Sequence, residues 1–366
     1  MNFSSRQVIT SRQLMYLLCI GVFPTEVMLL PGPMIMQFGK DTLWAIALGG
    51  IYSAAPLMLS LYILRRSMGR SITDVLRTSL GVFGRIVILA FGLVILLATM
   101  NIWGGYVQLL HTALLTRTPP WALLFLALAV VLYGVTGGME VSGRLAEAFV
   151  PLGVIAIVAI WLLSAHWFDV GRLLPLWPQH PDVFTFGGFK AATFLSEVLF
   201  GSYVGAFAKD QEGVPRALWL ALIINTSVML LVTSLPLLMF SIEHARILTL
   251  PPLTAVRAVN YGFTIERLDL AITPIWVIFV SLKLILWGLI GGNMVADALG
   301  LRRYALVGQI ALTATALMSL QLHSLLQVEQ SVVTTWDYFG FPVIIFSVTL
   351  AAVICRMRPK RVASHA

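Results

Sequence analysis

The chain has 366 residues, of which 59% are hydrophobic and 11% charged, with a net charge of +8. A soluble domain carries about 25% charged residues. This composition therefore excludes a water-facing globule and leaves a polytopic membrane protein whose outer face is solvated by lipid.

A spanning helix needs about 20 apolar residues. Ten apolar stretches follow in chain order, at roughly 14–37, 42–64, 83–110, 120–138, 144–165, 190–207, 216–240, 271–292, 303–321 and 338–355. The expected fold class is an all-α polytopic membrane protein, a single transmembrane domain over 1–366. The polar opening MNFSSRQVITSRQ leads into the first span with no small-residue cleavage site, so no signal peptide is expected. With the N-terminus cytoplasmic, sixteen Lys and Arg fall on inner loops and tails, seven on outer ones, and Lys283 inside a span. That asymmetry is the positive-inside pattern, and it accounts for the net charge without nucleic acid. The basic end RMRPKR is then cytoplasmic too, as an even number of spans requires. The inner loop 65–82 is expected to be part helical. Of the two long outer loops, 166–189 is rich in Pro and aromatics, and 241–270 is expected to carry a short helix over the outer mouth.

The first span reads CIGVFPTEVMLLP. Pro24 removes a backbone hydrogen bond and Gly21 weakens the turn before it. Glu26 follows the break, where a charge at bilayer depth costs about 2.5–3.5 kcal/mol. Backbone N–H and C=O groups freed at such a break can hold a carboxylate and an ammonium. The plainer alternative is a proline kink with Glu26 reaching the outer interface. In the third span, Asn101, Gly105, Gln108 and Thr112 share a face that either lines a cavity or bonds to neighbouring helices.

The sixth span reads FLSEVLFGSYVG. Glu197 can pair with a ligand amine, carry a proton, or answer Lys283. Gly201 and Gly205 fit a flexible site and a close-packed helix face equally well. In the eighth span, Trp276, Lys283 and Trp287 fall on one helical face by their spacing of 7 and 4. A mid-span lysine facing lipid is costly, so Lys283 is expected to point inward. It can pair with Glu197 or Glu26, or occupy the place of a coupling cation. Asp297, with Asn293 four residues before it, reads as an interfacial cap.

The interrupted first and sixth helices lie five spans apart. Breaks at matching positions of two halves point to the substrate site of a transporter-like fold. Cys19 and Cys355 both lie in spans and give no disulfide framework or metal spacing, and the six His are scattered. No P-loop, nucleophile elbow or zincin motif is present. No enzyme activity, cofactor or metal is expected.

Several stretches resemble the B subunits of spore-germination nutrient receptors, the amino-acid-permease-like proteins of endospore formers. They are ITSRQLMYLLCIGV, LLP and FGKDTLWAIALGGI around the first two spans. Next comes TPPWALLFLALAVVLYGVTGGMEVSGRLAEAFVPLG, with Gly138, Glu140 and Arg144. LLPLWPQ follows the fifth span, and ERLDLAITPIWVIFVSLKLILW enters the eighth, where Glu266-Arg267-Leu268-Asp269 is the most specific element. The resemblance implies ten helices in two inverted five-helix repeats of the LeuT type, within the amino acid–polyamine–organocation superfamily, with helices 1 and 6 broken. It implies residence in the inner membrane of the spore and work with an A subunit and a lipoprotein C subunit. Carried over by position, it places Gly21, Asn101, Glu197, Leu199 and Lys283 near a pocket among spans 1, 3, 6 and 8. With the polar and aromatic neighbours, the expected ligand-binding set is Gly21, Glu26, Asn101, Glu197, Leu199, Gly201, Lys283 and Trp287. The sequence departs from the family where Pro24 and Glu26 stand in a break that is commonly Gly-rich and uncharged. The expected function is sensing of a small nutrient, such as an amino acid, at the membrane midplane. The alternative is a proton- or cation-coupled amino-acid transporter of the same fold.

Overall fold

The computed structural model describes residues 8–261 and 268–357. Glu266 and Arg267 of the motif before the eighth span, and the basic tail beyond Met357, lie outside the described residues. The described chain is helical, with one isolated pairing of extended backbone between Ile9 and Ala208.

Helix α1 (Ser11–Val22) opens on a capping box: Thr10 accepts the Gln13 N–H, and the Gln13 side chain accepts the Thr10 N–H. It stops at Val22 because Pro24 has no N–H with which to continue the ladder. After a turn at 23–25 the chain resumes as α2 (Glu26–Leu29) and α3 (Pro31–Phe38). The stretch 14–37, expected as an interrupted span, is built of three helical pieces. Next come α4 (Thr42–Arg66), α5 (Ile72–Leu80), α6 (Val82–Ala113), α7 (Pro120–Thr136) and α8 (Gly138–Ser164). α5 is the helix expected in the inner loop, and it buries Ile72, Val75 and Leu76 against the bundle.

The sixth span begins as α9 (Phe186–Leu195) and tightens into a 3₁₀ helix over Ser196–Phe200. It continues as α10 (Gly201–Val204) and a last 3₁₀ turn, Gly205–Phe207. The change of winding therefore begins at Ser196 and Glu197, before the glycines. Ser196 Oγ donates to the Thr193 carbonyl three residues back, at 2.5 Å, a local bond that competes with the α pattern. Next are α11 (Val214–Met239), α12 (Ile242–Ile247), α13 (Pro251–Ala258), α14 (Asp269–Leu299), α15 (Tyr304–Ser319) and α16 (Leu325–Val332). The loop after α11, expected on the outer side, thus holds two short helices where one was expected. α16 runs through a π-helical stretch, Val333–Gly340, into α17 (Phe341–Met357). The last helix therefore starts well before residue 338. Pro342 offers no N–H to the Tyr338 carbonyl, and the wide turn just before it, with Phe341 N–H bonded to Trp336 O, absorbs the loss.

Among the described residues, eight helical segments are long and apolar enough to cross a membrane; α7 and α15 are apolar but shorter. The packing repeats across two halves, α1–α8 and α9–α17. α4 lies along α9 as α11 lies along α1, and α7 meets α14 as α15 meets α6. The most extensive contact is between α6 and α14, the equivalent helices of the two halves. Small residues permit the closest approaches: a Cβ on Gly292 of α14 would lie 2.5 Å from the Gly308 Cα of α15.

Candidate functional site

The break in α1 and the 3₁₀ turn after α9 face each other at the centre of the bundle. Gly21, the last glycine before the break, makes this possible. A Cβ there would sit 2.8 Å from Glu197 Oε2. Glu197 is 2% exposed and Lys283, on α14, is 0% exposed. The Lys283 ammonium donates to Glu197 Oε1 at 3.1 Å and to Thr25 Oγ1 at 2.5 Å. One lysine thus ties the turn between α1 and α2 to the start of the 3₁₀ segment. It also lies 4.8 Å from the centroid of the Trp287 ring, one turn further along α14. Two turns before Lys283, Trp276 donates its indole N–H at 2.6 Å to the carbonyl of Pro24, inside the break.

A small cavity opens beside the pair. Thr25, Asn101, Glu197, Lys283 and Trp287 form its polar wall; Leu29, Ala98, Ile102, Phe194, Val332 and Trp336 close the rest. Its water-accessible space is about 30 Å³, room for about two waters by the usual allowance of 10–15 Å³ each. An amino acid would enter only if the wall moved. The walls are tightly built: Trp287 and Trp336 rings lie 5.5 Å apart, and Phe200 meets Trp287 edge-on at 5.3 Å. Trp336 donates to the Thr193 carbonyl at 2.8 Å. The Trp287 indole N–H is buried and has no hydrogen-bond partner among the described residues. Asn101 exchanges two bonds with Ser331 of α16: its amide donates to the Ser331 carbonyl at 3.3 Å, and its oxygen accepts from Ser331 Oγ at 2.6 Å. Further along α6, Gln108 donates to the Leu322 carbonyl. The polar face of α6 bonds to α16 at Asn101, which also lines the cavity, and to the loop before α16 at Gln108.

A larger cavity, about 80 Å³, lies on the other side of α2, among Phe23, Val27, Ile157, Trp161, Leu235, Val256 and Phe279. Its lining is apolar except for Asp269, which accepts from Arg257 Nε at 3.0 Å, and two indoles whose N–H groups are already used, Trp161 donating to Ser234 and Trp276 to the Pro24 carbonyl. It is the roomier space but offers almost nothing to orient a polar ligand. The smaller cavity, with convergent polar groups, is the better candidate.

Four of the eight expected residues, Asn101, Glu197, Lys283 and Trp287, line the central cavity together. Gly21 stands behind Glu197 without lining it. Leu199 is buried in the core away from the cavity. Gly201 packs on α11, where a Cβ would meet Leu218 at 2.8 Å. Glu26 opens α2, and its side chain lies outside the described residues. Thr25 and Trp336 belong to the cavity and were not singled out from the sequence. Thr25 had a local signal, a hydroxyl directly after the helix-breaking proline; Trp336 had none, since only folding brings it across from the far half. Asp297 is 4% exposed and accepts from Tyr304 Oη at 2.8 Å and Thr73 Oγ1 at 3.3 Å, joining α14 to α15 and α5. It is a buried tie rather than an interfacial cap. Among the described residues no three His, Cys, Asp or Glu side chains converge as metal ligands would.

A family model described as "Spore germination protein" matches residues 8–324. The chain is 27% identical to spore germination protein YndE of Bacillus subtilis (strain 168) over 168 residues, 45% of this chain and 46% of that protein. It is 24% identical to spore germination protein B2 of the same organism over 166 residues, 44% of this chain and 45% of that one. The matched stretch spans about half the length of each relative. Among solved structures, the chain is similar to Mhp1, a nucleobase-cation-symport-1 family transporter in a closed conformation with bromovinylhydantoin bound. The TM-score is 0.65 at 12% identity, over 96% of this chain and 76% of that one. It is also similar to a Na+-coupled sialic acid symporter in a substrate-bound outward-open state. There the TM-score is 0.60 at 14% identity, over 98% of this chain and 92% of that one. At such low identity the likeness concerns the fold alone: an all-α membrane architecture of the LeuT type, with its first and sixth spans broken.

Proposed function

The chain belongs to the spore germination protein family, and on that premise we propose that it is the nutrient-sensing subunit of a germination receptor in the inner membrane of the spore. It crosses the membrane ten times in this reading, with both termini cytoplasmic and α7 and α15 as its shortest crossings. An A subunit and a lipoprotein C subunit are its partners. The observation that carries the reading is the buried Glu197–Lys283 pair, which bridges two broken helices beside a polar cavity.

A small zwitterion is the ligand chemistry that suits this wall. Its carboxylate would take donors from Lys283, Thr25 and the indole N–H of Trp287; its ammonium would face Glu197. The ligand must separate the two broken helices slightly to enter. It shifts the conformational equilibrium only by its differential affinity for the opened and closed states. Partner subunits would read that shift.

The test is Glu197→Gln in the native operon, with the nutrient dose response of germination measured and protein abundance checked by immunoblot. The expected outcome is a large rightward shift at normal abundance. An unchanged response would remove Glu197 from the sensing site.

A second reading is a cation- or proton-coupled amino-acid transporter. It is supported by the fold shared with proteins described as symporters. Uptake of a labelled amino acid by the chain alone in proteoliposomes would favour it. Response only in the presence of partner subunits would favour the receptor.

A further inference from the structure

Lys283 is embedded in an environment suited to a free cation. Its ammonium lies between a carboxylate oxygen of Glu197 and the hydroxyl oxygen of Thr25, at the point where α1 loses its helical ladder. Carboxylate and hydroxyl are oxygen ligands that hard monovalent cations also use. The ring face of Trp287, 4.8 Å from Nζ, adds a further cation-attracting surface. The lysine cannot exchange with solvent. Its stem rises from α14, which is unbroken from Asp269 to Leu299 and is anchored to the same break by the Trp276 bond to the Pro24 carbonyl.

We propose that the Lys283 ammonium is a built-in cation: it ties the break of α1 to the 3₁₀ turn after α9 without exchanging with solvent, in the place where an exchangeable monovalent cation would otherwise do so. Closure of the two broken helices is therefore independent of Na+ and K+. Removing the lysine converts the place into a site for a small monovalent cation, with Glu197 and Thr25 among its ligands. The inference stands on this geometry alone and does not require that the adjoining cavity take a nutrient.

The test uses the full chain purified in lipid nanodiscs, as wild type and as Lys283→Ala. Tm is measured in choline chloride, NaCl, KCl and methylammonium chloride at equal ionic strength. Wild type is expected to show one Tm in all four salts. Lys283→Ala is expected to have a lower Tm in choline, recovering saturably by roughly 5 °C or more in at least one small cation, as a ligand bound only to the folded state produces. Adding Glu197→Gln should abolish that recovery. Lys283→Gln, which keeps most of the stem volume, serves as a second variant in the same salts. The proposal is overturned if the lysine variants fold but respond to no small cation, or if wild type responds as strongly. It is equally overturned if the response survives Glu197→Gln, or if neither lysine variant is recovered folded in any of the salts.

Discussion

Two kinds of helix meet at the central cavity. α1 and α9 lose regular winding there, while α6 and α14 run past it unbroken over 32 and 31 residues. The broken pair brings polar backbone, with Thr25 and Glu197, to the centre of the bundle. The continuous pair brings long or planar side chains from a rigid track: Asn101, Trp276, Lys283 and Trp287. Three of these four sit on one stripe of α14. The broken half of the site is held by the continuous half, through Lys283 to Glu197 and Thr25 and through Trp276 to the Pro24 carbonyl.

Four single substitutions and one double variant break or sharpen this division, the single ones in falling order of effect. Lys283→Met in choline buffer removes the cation that spans both sides and leaves Glu197 buried beside it. Losing one partner of a buried ion pair costs about 3–5 kcal/mol, and thermal unfolding in nanodiscs is expected to show that loss. The Glu197→Gln, Lys283→Met double variant should regain most of it. A single variant as stable as wild type would mean that α14 does not hold the broken helices.

Gly21→Ala tests the approach within the broken pair. The new Cβ would lie 2.8 Å from Glu197 Oε2, so the carboxylate must shift, at about 1–3 kcal/mol for overpacking. The expected readout is a lower Tm together with a displaced germination dose response. Trp276→Phe keeps a ring but leaves the Pro24 carbonyl without its indole donor. The expected loss is about 0.5–1.5 kcal/mol, the usual net worth of one hydrogen bond; an unchanged Tm would show that the break holds its shape without α14. Arg144→Gln is the smallest. Arg144 and Glu140 form an exposed i, i+4 pair on α8, and such pairs contribute about 0.3–0.5 kcal/mol. No change in the dose response is expected. A large change there would move the functional surface away from the cavity.

Much of the architecture is legible in the chain as written. The run of apolar stretches, the proline at 24, a glutamate at 197 and a lysine at 283 are local features. Lipid makes such features costly enough that few arrangements satisfy them. The placement of Lys283, Trp276 and Trp287 on one face follows from helical periodicity alone. Local sequence was less informative where two windings compete. The 3₁₀ turn starts at Ser196, whose hydroxyl bonds to the Thr193 carbonyl, and the glycines that follow serve close packing, Gly201 on Leu218 of α11 and Gly205 on Leu64 of α4. The last helix begins early because a π-helical turn lets the chain continue to Pro342.

What the sequence by itself determined was a membrane protein of this family with two interrupted helices and ionisable groups at bilayer depth. Only the tertiary structure decided which charges meet. Glu197 and Lys283 are far apart in sequence, and no periodicity within either helix specifies the distance between them. Their 3.1 Å contact follows from the packing of α14 on α1 and from the single missing side chain at Gly21. Trp336 reaches the same cavity wall because the last helix folds back on the first half. Side-chain chemistry is carried by the residue, but proximity in a bundle is set by how whole helices cross.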